Sequence, residues 1–409
     1  MKKKYLFAAA LGAVAGVIGY KIGSHSTGST DSTNSTNSTN STDVPGYALR
    51  PGVPENDPES VLGCDMTFSV DSGRAARPVR VLITGSGSYI GESFREYVST
   101  HYPENISTTV LDMKDPGWKE NVVWSKGFDS VFHVAGIAHA DVSTPSESDI
   151  ERYYAVNTDL AIETAKHAKE CGVKQFVFMS SAIIYGDTAS TGGEIDRTTT
   201  PHPANFYGDS KWQADKGVRA LATPPSTSLT ASSASTASAS SDSPDKGGDG
   251  VNENKSGGEF VVTVLRPPMI YGKGSKGNYP QLSNLAQRLP FFPDYQNKRS
   301  MLYIENLCEF VAQVMIGGYG GVFFPQNGEY TSTSDLVRHI AEAHGKRVII
   351  TRVLNPVVIL AQRCPFRKIR GMSMKAFGDS WYEMSMSRYE NIDYQVVSLE
   401  ESIERTEKA

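Results

Sequence analysis

The feature that most constrains this chain is a short apolar strand, Val79–Thr84, that runs directly into Gly85-Ser86-Gly87-Ser88-Tyr89-Ile90-Gly91 and then a helical pattern. Further short runs rich in β-branched and aromatic residues follow at Thr108–Asp112, Ser130–Val134, Gln175–Ser180 and Phe260–Leu265. Longer amphipathic stretches separate several of them, notably Ile150–Cys171. Strands alternating with helices predict an α/β fold, a doubly wound and mostly parallel Rossmann-type sheet. A glycine turn at the first strand–helix junction lets backbone N–H groups approach a pyrophosphate at the helix amino end. Taken alone, it fits an ordinary connection equally well.

The next strand ends in Asp112. An acid there binds the adenosine ribose hydroxyls and repels a 2′-phosphate, which selects NAD over NADP; the alternative is a turn cap. Net charge is −5 over 409 residues, without the basic stripe that a nucleic-acid partner requires. The cysteines Cys64, Cys171, Cys308 and Cys364 lie far apart with no CxxC pair, which argues against a disulfide framework or any metal site. They point to a reduced, cytoplasmic compartment.

Residues 1–23 pull the other way. Lys2–Lys4 precede an apolar run over residues 5–20, the layout of a signal peptide or membrane anchor. The run is shorter than the roughly 20 residues that span a bilayer upright. A tether on a cytoplasmic enzyme, a cleaved signal and a mis-started extension all stay open. Residues 24–77 read as a low-complexity and irregular linker, its Ser/Thr/Asn-rich part unable to offset the entropy of ordering. A second such tract, residues 222–258, falls between a predicted helix and strand. That places it at the sheet edge away from the ligand-binding strand ends. The sheet domain then comprises 78–221 and 259–272, and residues 273–409 form mainly a smaller substrate-binding α/β part.

With these motifs the chain resembles the extended short-chain dehydrogenase/reductase family, the nucleotide-sugar epimerases and dehydratases. The family's TGxxGxxG turn matches Gly85, Ser88 and Gly91, with serine replacing the middle glycine, and Tyr89 and Ile90 lie between. Phe132-His133-Val134-Ala135-Gly136 resembles the turn bordering the nicotinamide, and Asn157 matches an asparagine near the active site. Phe178-Met179-Ser180-Ser181 resembles the strand of the catalytic serine, which aligns with Ser181. Leu265-Arg266-Pro267-Pro268-Met269-Ile270-Tyr271-Gly272 matches RPxxxYG, where Pro267 borders the cofactor. The resemblance implies NAD as cofactor, a UDP-linked nucleotide-sugar partner, substrate contacts from Ser181, Asn278 and Arg299, and a homodimer.

Tyr207-Gly208-Asp209-Ser210-Lys211 supplies YxxxK. Positions i and i+4 share a helix face, so phenol and ammonium converge on one ligand. A free tyrosine, with a pKa of about 10, is a poor base at neutral pH. A lysine cation and the charged nicotinamide are expected to lower it, so that Tyr207 takes the proton from a sugar hydroxyl. Lys211 would also hold the ribose, and Ser181 the developing carbonyl oxygen. Dehydratases of the family need an acidic pair where this chain has Ala182-Ile183, which excludes the usual elimination. Three readings remain: a 4-epimerase, a 4-dehydrogenase or 4-keto reductase, and a non-catalytic binding module. The Lys276-Gly277-Asn278 loop and Phe377-Gly378-Asp379-Ser380 favour epimerase-like proteins of cell-surface polysaccharide synthesis.

Overall fold

The computed structural model describes residues 47–57, 77–138, 145–188, 192–223 and 259–408. The expected anchor at 5–20 and nearly all of the 222–258 insert lie outside them. Among the described residues no helix is long and apolar enough to cross a membrane.

Six parallel strands make the main sheet: β1 Val79–Thr84, β2 Ile106–Leu111, β3 Ser130–His133, β4 Gln175–Met179, β5 Val261–Leu265 and β6 Gly321–Phe323. Their spatial order is β6-β5-β4-β3-β1-β2. The chain leaves β1 for β2 on one side and returns to β3 on the other, so a crevice opens at the carboxyl ends of β1 and β3. Two layers cover the sheet because its strands are apolar on both faces. Val81 and Ile83 join a core with α1 (Tyr89–His101) and α6 (Ile304–Gly317). Leu82 points the other way, into a core with α3 (Leu160–Glu170) and α4 (Phe206–Arg219).

The amphipathic stretch expected at 150–171 is α2 (Glu147–Tyr154) continuing into α3 through one π-helical turn, Ala155–Asp159. The smaller carboxyl-terminal part contains α5 (Asn278–Arg288), α7 (Thr333–Ala343), α8 (Asn355–Gln362), α9 (Arg367–Phe377) and α10 (Leu399–Lys408). The flanks of the insert meet: Thr223 N–H donates to the Phe260 carbonyl at 3.0 Å, and Phe260 N–H donates to Thr223 Oγ1 at 3.1 Å. That junction precedes β5, at the edge opposite the crevice.

Residues 47–57 have no regular structure, yet they are fastened across α4. Arg50 pairs with Asp159 through Nε at 3.0 Å and with Glu151 at 3.0 Å. Its N–H donates to Gln213 of α4, and Asp57 pairs with Arg219 at 2.7 Å.

Candidate active site

The glycine turn is shaped by what stands opposite it. Gly85 has φ +114°, and a Cβ there would lie 2.9 Å from the backbone nitrogen of Ala135, so only glycine lets the ends of β1 and β3 close together. Ser88 has φ −70°, an ordinary angle, and caps α1 by accepting from Gly91 N–H at 3.4 Å. Serine therefore stands in the middle-glycine position without backbone strain, and the positive φ moves to Gly87. Tyr89 turns its ring toward Gly272, Glu305 and Cys308, with its hydroxyl buried and without a hydrogen-bond partner among the described residues. Ile90 packs against the core, leaving its backbone N–H at the helix start. Asp112 is exposed just beyond β2 and caps its own turn, accepting from Lys114 N–H at 3.0 Å. The cap and the ribose role are compatible, since one carboxylate has lone pairs for both.

On the far side of the crevice, the π turn aims Asn157 at the Ala135–Ile137 loop. Its Oδ1 accepts from Ile137 N–H at 2.8 Å, and its Nδ2 donates to the Ile137 carbonyl and to Ser210 Oγ, both at 3.1 Å. The amide is thus taken up in locking the loop to α4, and it shapes the site through its neighbours. A Cβ on Gly136 would sit 3.2 Å from both Asn157 Oδ1 and Lys211 Nζ, so the bare glycine leaves the lysine beneath an open roof.

Helix α4 starts at the Asn205 cap, which accepts from Gly208 N–H at 3.0 Å, and carries Tyr207 and Lys211 one turn apart. Lys211 is buried, and its Nζ donates to the Met179 carbonyl at the end of β4 at 3.2 Å. Burial pushes its pKa down to about 8. Ser181 follows two residues later, accepting from Ile183 N–H at 3.3 Å. The turn it begins abuts α4, because a Cβ on Gly208 would lie 3.0 Å from the Ile183 carbonyl. Pro267 closes the group, its carbonyl accepting from Ala182 N–H at 2.9 Å.

Tyr207 is enclosed as well. Burial, with Tyr153 beside its ring at 5.8 Å, pushes its phenol up to about 12. The lysine does not offset this within the chain itself. Desolvation acts on both groups, holding the phenol protonated and weakening the ammonium.

Two assigned substrate contacts come from other elements. Asn278 is exposed at the first residue of α5. Arg299 turns its guanidinium to the end of α9, with Nη1 donating to the carbonyls of Lys375 at 2.6 Å and Ala376 at 3.3 Å. There it satisfies carbonyls that the helix leaves without partners.

Sequence reasoning missed the support behind α4. Asp215, wholly buried, accepts from Arg266 Nε and Nη2, both at 3.0 Å, from Arg219 Nε at 2.7 Å and from Ser180 Oγ at 2.7 Å. These cations and the hydroxyl hold its pKa down at about 2 against burial. The signal lay in the i, i+4 ladder Lys211–Asp215–Arg219. His133, stacked on Phe176 and Phe178, shares a 2.8 Å hydrogen bond with Thr84 Oγ1 and takes no part in the crevice.

Comparison with known proteins adds the following. Residues 77–237 match the NAD dependent epimerase/dehydratase family. A UDP-glucose 4-epimerase of Vibrio cholerae is 26% identical over 67% of this chain and 79% of its own length. An N-acetyl-alpha-D-glucosaminyl-diphospho-ditrans,octacis-undecaprenol 4-epimerase of Escherichia coli is 25% identical over 70% of this chain and 74% of its own. Among solved structures, the UDP-glucose 4-epimerase of Thermus thermophilus in complex with NAD superposes with a TM-score of 0.54 at 19% identity, covering 81% of this chain and 98% of that one. The last likeness is one of fold.

Proposed function

We propose that this chain, whose residues 77–237 match the NAD dependent epimerase/dehydratase family and which resembles the extended short-chain dehydrogenases/reductases, is an NAD-dependent 4-epimerase of a nucleotide sugar. The observation that carries the reading is Lys211, buried under the bare Gly136 one helical turn from Tyr207 and tied to the strand that leads to Ser181. What supports a dinucleotide is that Gly85 lets the ends of β1 and β3 close together, Gly136 adds no Cβ above Lys211, and a helix start such as that of α1 offers N–H groups to a pyrophosphate. Asp112 stands ready for the ribose hydroxyls at the edge.

Bound NAD would supply the electron acceptor for transient oxidation of the sugar carbon, and a positive ring. Tyr207 removes the proton from the sugar hydroxyl and later returns it. With its phenol at about 12 in the chain alone, Tyr207 becomes a base only when positive charge stands beside it. Lys211 contributes part of that charge and holds the ribose. Ser181 steadies the developing carbonyl oxygen by a hydrogen bond. The turn after Ser181 offers Ala182 and Ile183 and no carboxylate, so elimination lacks its acid and base.

The test is to incubate the full chain with NAD and UDP-hexoses. A C4-inverted product without net NADH is expected, and Tyr207→Phe should lower kcat by about 10²–10⁴. NADH formed mole for mole, with no inverted product, would favour the 4-dehydrogenase. Full activity in Tyr207→Phe would overturn the mechanism.

A further inference from the structure

The chain is acidic overall, yet Lys346–Phe377 holds eight lysines and arginines and no aspartate or glutamate. Six of them are exposed: Lys346, Arg347, Arg352, Arg363, Arg370 and Lys375. Arg352 pairs with Asp294 at 3.1 Å, whereas Arg363, Arg370 and Lys375 have no carboxylate partner among the described residues. The same segment exposes hydrocarbon. Five of the nine large hydrophobic residues exposed in the described structure are here: Ile349, Val353, Ile359, Leu360 and Phe366. Isolated exposed hydrophobics are common on protein surfaces, but a cluster within eighteen residues marks an interaction face.

The cluster has helical order. In α8, Val358 and Ala361 are buried, while Pro356, Ile359, Leu360 and the C-cap residue Arg363 are exposed at spacing i, i+3, i+4, i+7. The outward stripe is therefore apolar and ends in a cation, the reverse of an ordinary surface helix. Leu360 is 72% exposed and Phe366, at the start of α9, 68%. The hairpin is firmly seated beneath: Tyr295 donates to Gln362 at 3.0 Å and packs on Phe377.

We propose that the α8–α9 hairpin is a docking surface for an anionic phospholipid bilayer. Exposed leucine, isoleucine and phenylalanine beside arginine and lysine are the chemistry of an interfacial helix, with hydrocarbon entering the headgroup–acyl boundary and cations meeting lipid phosphates. A nucleic acid would satisfy the cations but leave the aliphatic stripe in water. A second copy of the chain would cover the stripe but bring like charge against like.

Sedimentation of the full chain with vesicles of phosphatidylcholine, with and without phosphatidylglycerol, tests this. Arg363→Glu/Arg370→Glu and, separately, Leu360→Asp/Phe366→Asp should each weaken binding to the anionic vesicles at least about tenfold. Wild-type binding should also fall as salt screens the cations. Binding to neutral vesicles reports the apolar contributions alone, from residues 5–20 and from the stripe, and should be equal in wild type and Arg363→Glu/Arg370→Glu. Melting temperatures identify any variant that misfolds, in which case the salt and headgroup dependence of the wild type decides. The proposal is overturned by wild-type binding indifferent to phosphatidylglycerol, or by well-folded variants that bind as tightly as wild type. It is equally overturned if the variants lose only RNA binding, or only a dimer seen on sizing, while binding vesicles normally.

Discussion

Arg266 holds Asp215 with two parallel hydrogen bonds, Nε to Oδ2 and Nη2 to Oδ1, both 3.0 Å, on the helix that carries Lys211 one turn earlier. Neither side chain reaches solvent. Removing one partner strands the other's charge in the interior, at a cost of about 3–5 kcal/mol. Asp215→Ala is therefore expected to lower unfolding free energy by about that amount in urea titration. Asp215→Asn should lose nearly as much, because an amide cannot accept from both guanidinium nitrogens. A loss below about 1 kcal/mol in both variants would mean that the network adds little to stability.

Lys211 gives the opposite sign. Its pKa is about 8 in the fold and about 10.4 in an unfolded chain. The unfolded state therefore binds the proton more tightly, and the fold is penalised at pH 7. Stability should rise with pH between about 8 and 10 as the unfolded lysine also becomes neutral. Lys211→Met is expected to be more stable than wild type at pH 7, by up to about 3 kcal/mol, with the advantage shrinking across that window. Chemical denaturation at several pH values measures both. A variant no more stable than wild type would show that the Met179 carbonyl compensates the buried ammonium.

His133 predicts the acid limb. Its folded pKa, pushed down to about 3 by burial and by Lys211, lies below the usual value of about 6.5. Its neutral form thus contributes stability above pH 6.5 that is lost as pH falls toward 3, at about 1.4 kcal/mol per pH unit for one proton. His133→Gln keeps a partner for Thr84 and should flatten the slope by that amount between pH 6 and 4. Equal slopes in the two proteins would place the acid sensitivity elsewhere.

These groups show where the sequence was informative. The strand–glycine turn and YxxxK were legible because each obeys a local geometric rule, positive φ at Gly85 and one helical turn from Tyr207 to Lys211. Ser88 was harder to judge, since whether serine is tolerated depends on a φ that only the folded turn reveals. The upward push that burial gives the Tyr207 phenol in the chain alone was not legible, because enclosure of its ring depends on long-range packing that no local spacing encodes. Arg266 stood inside a recognised motif without a role, its partner Asp215 being 51 residues distant. Residues 47–57 left no trace at all, as an irregular segment has no period and shows its worth only through the residues it meets.

That segment carries the last prediction. Arg50 bridges Asp159, at the end of the π turn, and Glu151 on α2, while Asp57 reaches Arg219 and Lys216 donates to the Pro54 carbonyl at 3.0 Å. The strap therefore ties α4 to the helix whose Asn157 orders the Ala135–Ile137 loop. Arg50→Ala should lower stability by about 1–2 kcal/mol, since a forked guanidinium serving two carboxylates exceeds an ordinary surface pair. Arg50→Lys should recover only part, lacking the fork. Removing residues 1–57 should cost more than Arg50→Ala, because Arg219 then also loses Asp57 from a buried position. If the truncated chain melts with wild type, the strap rests on α4 without supporting it, and a minimal enzyme can begin at residue 58.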